Sequence, residues 1–257
     1  MRYRARLLML ALMLVTALLA GCTSDAGADR AAGSPVTAAE AQAIAGLLHA
    51  DFQAGGAAFV VTAPYSHAAV LTLTGDIDFR HSIGRAQAVT TYSDGRADDT
   101  RTVFFTPEDL WVGDVPGLTA ALKKAGAPKA TYLRRPLTLP YDAAGMPLLD
   151  VLTRVLVDLS SQTGDDPRYF QDGHTTWQGQ RSIDGRLASL FRLRDGHTVA
   201  VAASGNLLLQ YVSPLSGEGF DVTVTLSDHG PRVIDLPSAT ETADAADHQA
   251  IATALGV

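Results

Sequence analysis

The feature that most limits the fold is a two-residue alternation of apolar and polar side chains that recurs along the chain. In residues 69–80, Leu71, Leu73, Ile77 and Phe79 fall on one side, and Thr72, Thr74, Asp76, Asp78 and Arg80 on the other. That is a strand with one covered and one wet face. Gly75 interrupts the covered side without a side chain, which predicts a bend or a close approach of backbone. The alternation returns with Phe220, Val222, Val224 and Leu226 against Asp221, Thr223, Thr225 and Ser227. Strand-length stretches at 57–61, 85–92, 100–105, 110–112, 174–181, 188–194, 198–203 and 207–212 bring the count to about ten. Turns such as Ser93-Asp94-Gly95, Asp195-Gly196 and Gly205-Asn206 separate them, and short connections of this kind make antiparallel neighbours.

Helical patterns are few. Thr37 and Glu40 form a capping box ahead of Ile44, Leu47 and Leu48, with Gly55-Gly56 as the stop. A second short helix carries Leu118, Ala121 and Leu122 and ends with Lys123 and Lys124 before Gly126. The third, over 147–161, has a broad stripe of Leu148, Leu149, Leu152, Val155, Leu156 and Leu159. A weak closing helix is predicted over 243–255. This is more sheet than so few helices cover if it lies flat, so the sheet must curl. The predicted class is α+β: a large curved antiparallel sheet, a half-barrel, with a few helices on its concave face. Its interior is either a solid core or a greasy pocket.

The amino terminus is of another kind. Arg2, Arg4 and Arg6 precede an apolar run of 13 residues and then Leu19-Ala20-Gly21-Cys22. The run is shorter than the ~20 residues a bilayer span needs, but it matches a signal-peptide core. It resembles the bacterial lipoprotein signal, which implies cleavage before Cys22, acylation of that cysteine, and attachment to the cell membrane on its extracytoplasmic face. The alternatives are an ordinary signal peptide or an uncleaved anchor. Cys22 is the only cysteine, so no internal disulfide forms. The predicted organisation is a signal peptide at 1–21, an acylated amino terminus and flexible tether at 22–36, and one domain at 37–257.

Loss of 21 residues leaves 236 and takes the formal charge from −7 to −10. So acidic a chain does not track nucleic acid, and anionic headgroups repel it, so the acyl group must supply membrane attachment. No Gly-x-Ser-x-Gly elbow, phosphate-binding glycine loop or histidine pair at helical spacing occurs. Neither an enzyme, a metal site nor a cofactor is expected. Most of the seven histidines read as turn or surface residues. Asp76 with Asp78, and Asp165 with Asp166, read as solvated charge. Lys129, Arg134 and Arg135 form the one basic cluster, either a soluble loop or a greeting for a lipid phosphate. Trp111 and Trp177 read as core.

An exported, acyl-anchored chain with an initial helix, a multistranded sheet interrupted by two helices and a final run of strands resembles the LppX, LprA, LprF and LprG lipoprotein carriers, related in shape to LolA and LolB. The segment Leu71-Thr72-Leu73-Thr74-Gly75-Asp76-Ile77-Asp78 is similar to a strand common in that group, and the helix over 147–161 stands where they place theirs. The resemblance implies a hydrophobic cavity for acyl chains of a lipid, glycolipid or lipoprotein. Its expected lining is Leu71, Leu73, Ile77, Phe79 and Phe104 from the first strands, Leu148, Leu152, Val155 and Leu156 from the helix, and Val222 and Val224 from the last strand. A monomer is expected. The second reading is a non-catalytic module with a filled core that binds an envelope protein. The third is a hydrolase whose Ser-His pair or converging acids only coordinates reveal.

Overall fold

The computed structural model describes residues 30–137, 147–215 and 219–257, apart from the side chains of Tyr65 and Leu215. The signal segment 1–21, Cys22 and the tether as far as residue 29 lie outside the described residues. Ala32–Val257 form one unit, which carries its own hydrophobic core and every described strand and helix. That is the condition for a domain to fold alone.

In chain order the first half contains β1 (Ser34–Pro35), α1 (Ala38–Ala45), α2 (Leu47–Ala54), β2 (Gly56–Ser66), β3 (Ala69–Asp78), β4 (Ile83–Tyr92), β5 (Asp99–Phe105), β6 (Asp109–Gly113), α3 (Leu118–Lys124) and β7 (Tyr132–Pro136). The second contains α4 (Leu148–Asp158), a 3-10 turn (Pro167–Phe170), β8 (Thr176–Ile183), β9 (Arg186–Arg192), β10 (Thr198–Ala202), β11 (Leu208–Leu215), β12 (Phe220–Ser227), β13 (Thr242–Asp244) and α5 (Gln249–Leu255). All the strands among the described residues belong to one open, curved sheet of 13, in the order β1-β8-β9-β10-β11-β12-β2-β3-β4-β5-β6-β7-β13. Two meanders, β2 to β7 and β8 to β12, join where β12 pairs with β2. The architecture is α+β with helices on the concave face, as the alternation predicts.

The covered face follows the register. Leu73 pairs with Val61 on one side and Ala88 on the other, and Val61 pairs with Val224 across the join. Leu73, Ile77, Val61 and Val224 have no exposed surface, and neither do Leu152 and Leu156 of α4 or Leu118's neighbour Leu122 on α3. This row is packed solid. Gly75 faces β4 so closely that a Cβ there would stand 1.9 Å from the Arg85 carbonyl oxygen, so the predicted close approach is to neighbouring backbone. On Gly84 a Cβ would fall 1.9 Å from the Phe105 ring.

Several expectations are corrected. The first helix breaks at Gly46 into α1 and α2, although its capping box forms as read: Thr37 Oγ1 accepts the Glu40 N–H at 3.2 Å and Glu40 accepts the Thr37 N–H at 2.7 Å. The end of the predicted tether is part of the sheet, where Ser34 pairs with Trp177. β7 and β13 are strands that alternation did not reveal, and they pair in parallel.

The Lys129, Arg134 and Arg135 cluster is dispersed. Adjacent residues on a strand point to opposite faces. Arg134 meets Asp244 at 2.8 Å on the outer side, while Arg135 turns inward to Asp150 of α4 at 2.5 Å. Asp78 is not solvated: it is buried and accepts the Arg80 and His81 N–H groups at 2.9 and 3.1 Å. Asp76 is the exposed member and binds Arg232 at 2.9 Å.

Candidate functional site

Where the sheet passes from β11 to β9, the helices no longer fill the concave face. α1 contributes Ile44, α2 contributes Leu47 and Leu48, and α4 contributes Val155, Asp158 and Leu159. Opposite them stand Leu208 and Tyr211 of β11, Val199 of β10, Leu193, and Phe170 of the 3-10 turn, with Asp165 at the edge. They line a half-open cavity of about 260 Å³. Phe170 and Leu193 also border a more open cavity of about 530 Å³, shared with Tyr169, Thr175, Arg194 and Asp195. The pair thus borders both the apolar pocket and the wider trough.

Local sequence explains the placement. The break at Gly46 lets α1 and α2 each present a short apolar edge, Ile44 and then Leu47-Leu48. α2 is held to the sheet by Asp51, whose Oδ1 accepts the Leu208 N–H at 3.2 Å. That bond fixes the strand residue whose side chain forms the pocket floor. Asp51 is fully buried and lies 3.6 Å from His229 Nε2, itself 3% exposed, and Asp51 Oδ2 has no hydrogen-bond partner among the described residues. Burial pushes the Asp51 carboxyl well above the usual carboxylate range, against the Leu208 N–H. Burial lowers His229, and Arg186 adds to that. His229 is therefore an exception to the reading of most histidines as turn or surface residues.

The mouth is polar. The Tyr211 hydroxyl lies 2.8 Å from His197 Nδ1, Ser213 Oγ is 3.3 Å from Nε2, and Asp195 is 3.3 Å from Nδ1. Burial raises the Tyr211 hydroxyl above the ordinary phenol range, and Asp195 and Asp158 push it the same way against a hydrogen bond with Ser213. Ser213, His197 and Asp195 stand in the order of a nucleophilic triad. Yet Asp195 is 59% exposed, and the tighter partner of the ring is the phenol, so the acid does not clamp the imidazole as a buried orienting carboxylate does. The group serves as a hydrogen-bonding rim. Sequence gave no signal for it, because its members come from β11 and the β9–β10 turn.

Of the residues expected to line a cavity, Val155 borders this one. Leu71, Leu73, Ile77, Phe79, Leu152, Leu156, Val222 and Val224 belong to the packed core. Leu148 packs against that core, half-buried. Phe104 is on the wrong face: it pairs with Arg85 and Trp111, lies under the Arg85 guanidinium at 5.5 Å, and meets Tyr132 edge-on at 5.7 Å. With residues 232–235 it borders a separate cavity of about 250 Å³ on that face. Phe105 is the ring that enters the core. Trp177 is a core residue, whereas Trp111 is buried on Phe104's side.

No family model matches the chain, and no curated protein matches it. Among solved structures, that of LprF from Mycobacterium bovis is similar with a TM-score of 0.43 and 16% identity, over 80% of this chain and all of that one. A likeness this slight carries no argument, so the reading of the pocket rests on its own geometry.

Proposed function

We propose that this protein is a membrane-anchored cell-envelope lipoprotein, held through acylated Cys22 on the extracytoplasmic face, that takes an apolar chain of a lipid, glycolipid or lipoprotein into the pocket beside α2 and carries it as a monomer. The observation that carries the reading is the apolar cavity of about 260 Å³ between two short helices, α4 and β9 to β11. It falls just below the roughly 300–1,000 Å³ of small-molecule sites, which suits one chain or part of one and not two full tails. Eight methylenes buried there favour holding by about 6 kcal/mol before the costs of association. The signal at 1–21 and the lone cysteine support export and anchoring.

The test is organic extraction of the purified protein followed by mass spectrometry, with saturable binding of an uncharged fluorescent probe to residues 32–257. Co-purified single-chain or lipid species and micromolar probe binding are expected. Absence of both would favour the second reading, a non-catalytic module that binds an envelope protein. The solid packing of Leu73, Ile77 and Leu156 supports that second reading.

A further inference from the structure

We infer that the pocket selects a single-chain amphiphile with a cationic head, an amine or quaternary ammonium, and discriminates against phosphate and carboxylate heads. This deepens the reading of the pocket as a chain-binding site and rests on it.

The inference follows from where the charges stand. A chain seated in the half-open pocket and leaving past Phe170 and Leu193, which border both cavities, would place its head in the trough between the 3-10 turn and the β9–β10 turn. The arginines around that exit are matched by acids. Arg154 meets Asp158 at 2.8 Å, Arg168 meets Asp166 at 2.5 Å, and Arg194 meets Asp172 at 3.4 Å. Two carboxylates are left over. Asp165 borders the pocket with no ion-pair partner among the described residues, and Asp195 borders the trough with the His197 ring at 3.3 Å and the His197 N–H at 3.1 Å but no arginine or lysine partner among the described residues. Tyr169, 74% exposed, offers an aromatic ring on the same trough, and ring faces attract ammonium groups. An anionic head would meet two exposed acids that have no arginine or lysine partner among the described residues, and at low ionic strength their repulsion is screened least. The Tyr211 hydroxyl already sits in that negative field, since Asp195 and Asp158 both disfavour its ionisation.

The experiment uses residues 32–257, first shown to be folded by a cooperative thermal transition, with N-phenyl-1-naphthylamine as an uncharged reporter. Decyltrimethylammonium, decyl glucoside and decanoate are titrated as competitors below their micelle concentrations. The ammonium is expected to compete about fivefold or more better than decanoate at low ionic strength, with the glucoside between them. That gap should close to within about twofold in 0.5 M sodium chloride and in Asp165→Asn/Asp195→Asn, a change that leaves the apolar wall intact. Decanoate competing as well as the ammonium would overturn the head-group inference while leaving chain binding in place. Failure of all three and of the reporter to bind would overturn chain binding as well.

Discussion

At the scale of single residues, the most consequential side chain is Asp51, a fully buried carboxyl that holds Leu208 and thereby the pocket floor. Its raised pKa means that the folded chain keeps a proton which the unfolded chain releases above about pH 4. Stability therefore falls as pH climbs from there through the folded value. His229 works in the opposite sense. Its ring is held neutral, so below about pH 6.5 the unfolded chain binds the proton first and stability is lost toward acid. Asp51→Asn can still accept the Leu208 N–H and removes the first slope, which is at most about 1.4 kcal/mol per pH unit. Urea unfolding at pH 4.5, 6 and 8 should show the variant gaining on the native chain as pH rises. A constant difference would refute the assignment. Phe104 and Phe105 make a second residue-scale case. Phe105→Ala should cost about 3–5 kcal/mol, transfer plus cavity. Phe104→Ala should cost about 1.5–3 kcal/mol, because solvent fills the gap on its side, and it should leave probe affinity unchanged. The resemblance implied Phe104 for the covered face, but no clear alternation fixes the phase of the 100–105 strand, and a shift of one residue reverses the face.

At the scale of elements, the same parity separates Arg134 from Arg135 and gives β7 a tie to each side of the sheet. The inward tie, Arg135 to Asp150, is nearly closed to water, with the carboxylate side chain 1% exposed. Arg135→Ala removes the cationic partner of that buried carboxylate and should destabilise by about 3–5 kcal/mol. Arg135→Met with Asp150→Leu should restore most of the loss, measured by the same denaturant titration. A double variant no better than the single one would show that the pair does more than compensate its own burial. The strands of the meanders, the capping box of α1 and the apolar stripe of α4 were legible because each has a local period. β7 and β13 were not: Pro136 and the two arginines hide the first, and a three-residue parallel strand has no alternation to read.

At the scale of the whole molecule, the question left open by the sequence was whether the interior is filled or hollow, and the answer differs along the sheet. Over β2 to β6 it is filled; beside β9 to β11 the helices stop short and the pocket remains. Val155→Trp, projecting into that space from α4, should weaken probe binding at least tenfold while moving the unfolding midpoint by only a few degrees, since the added ring enters a void rather than a packed core. Retained binding would place the probe elsewhere.

The amino-acid sequence by itself determined that this chain builds a large, one-sidedly apolar, antiparallel sheet, because alternation and turn chemistry are written in neighbouring residues. It could not say which apolar side chains touch one another and which are left facing empty space. That depends on how far two short helices, broken at Gly46 and pinned by Asp51 to a strand 157 residues later, reach across a curved surface. Only the tertiary structure decided it, because a void is a property of distances between elements and no single segment encodes it.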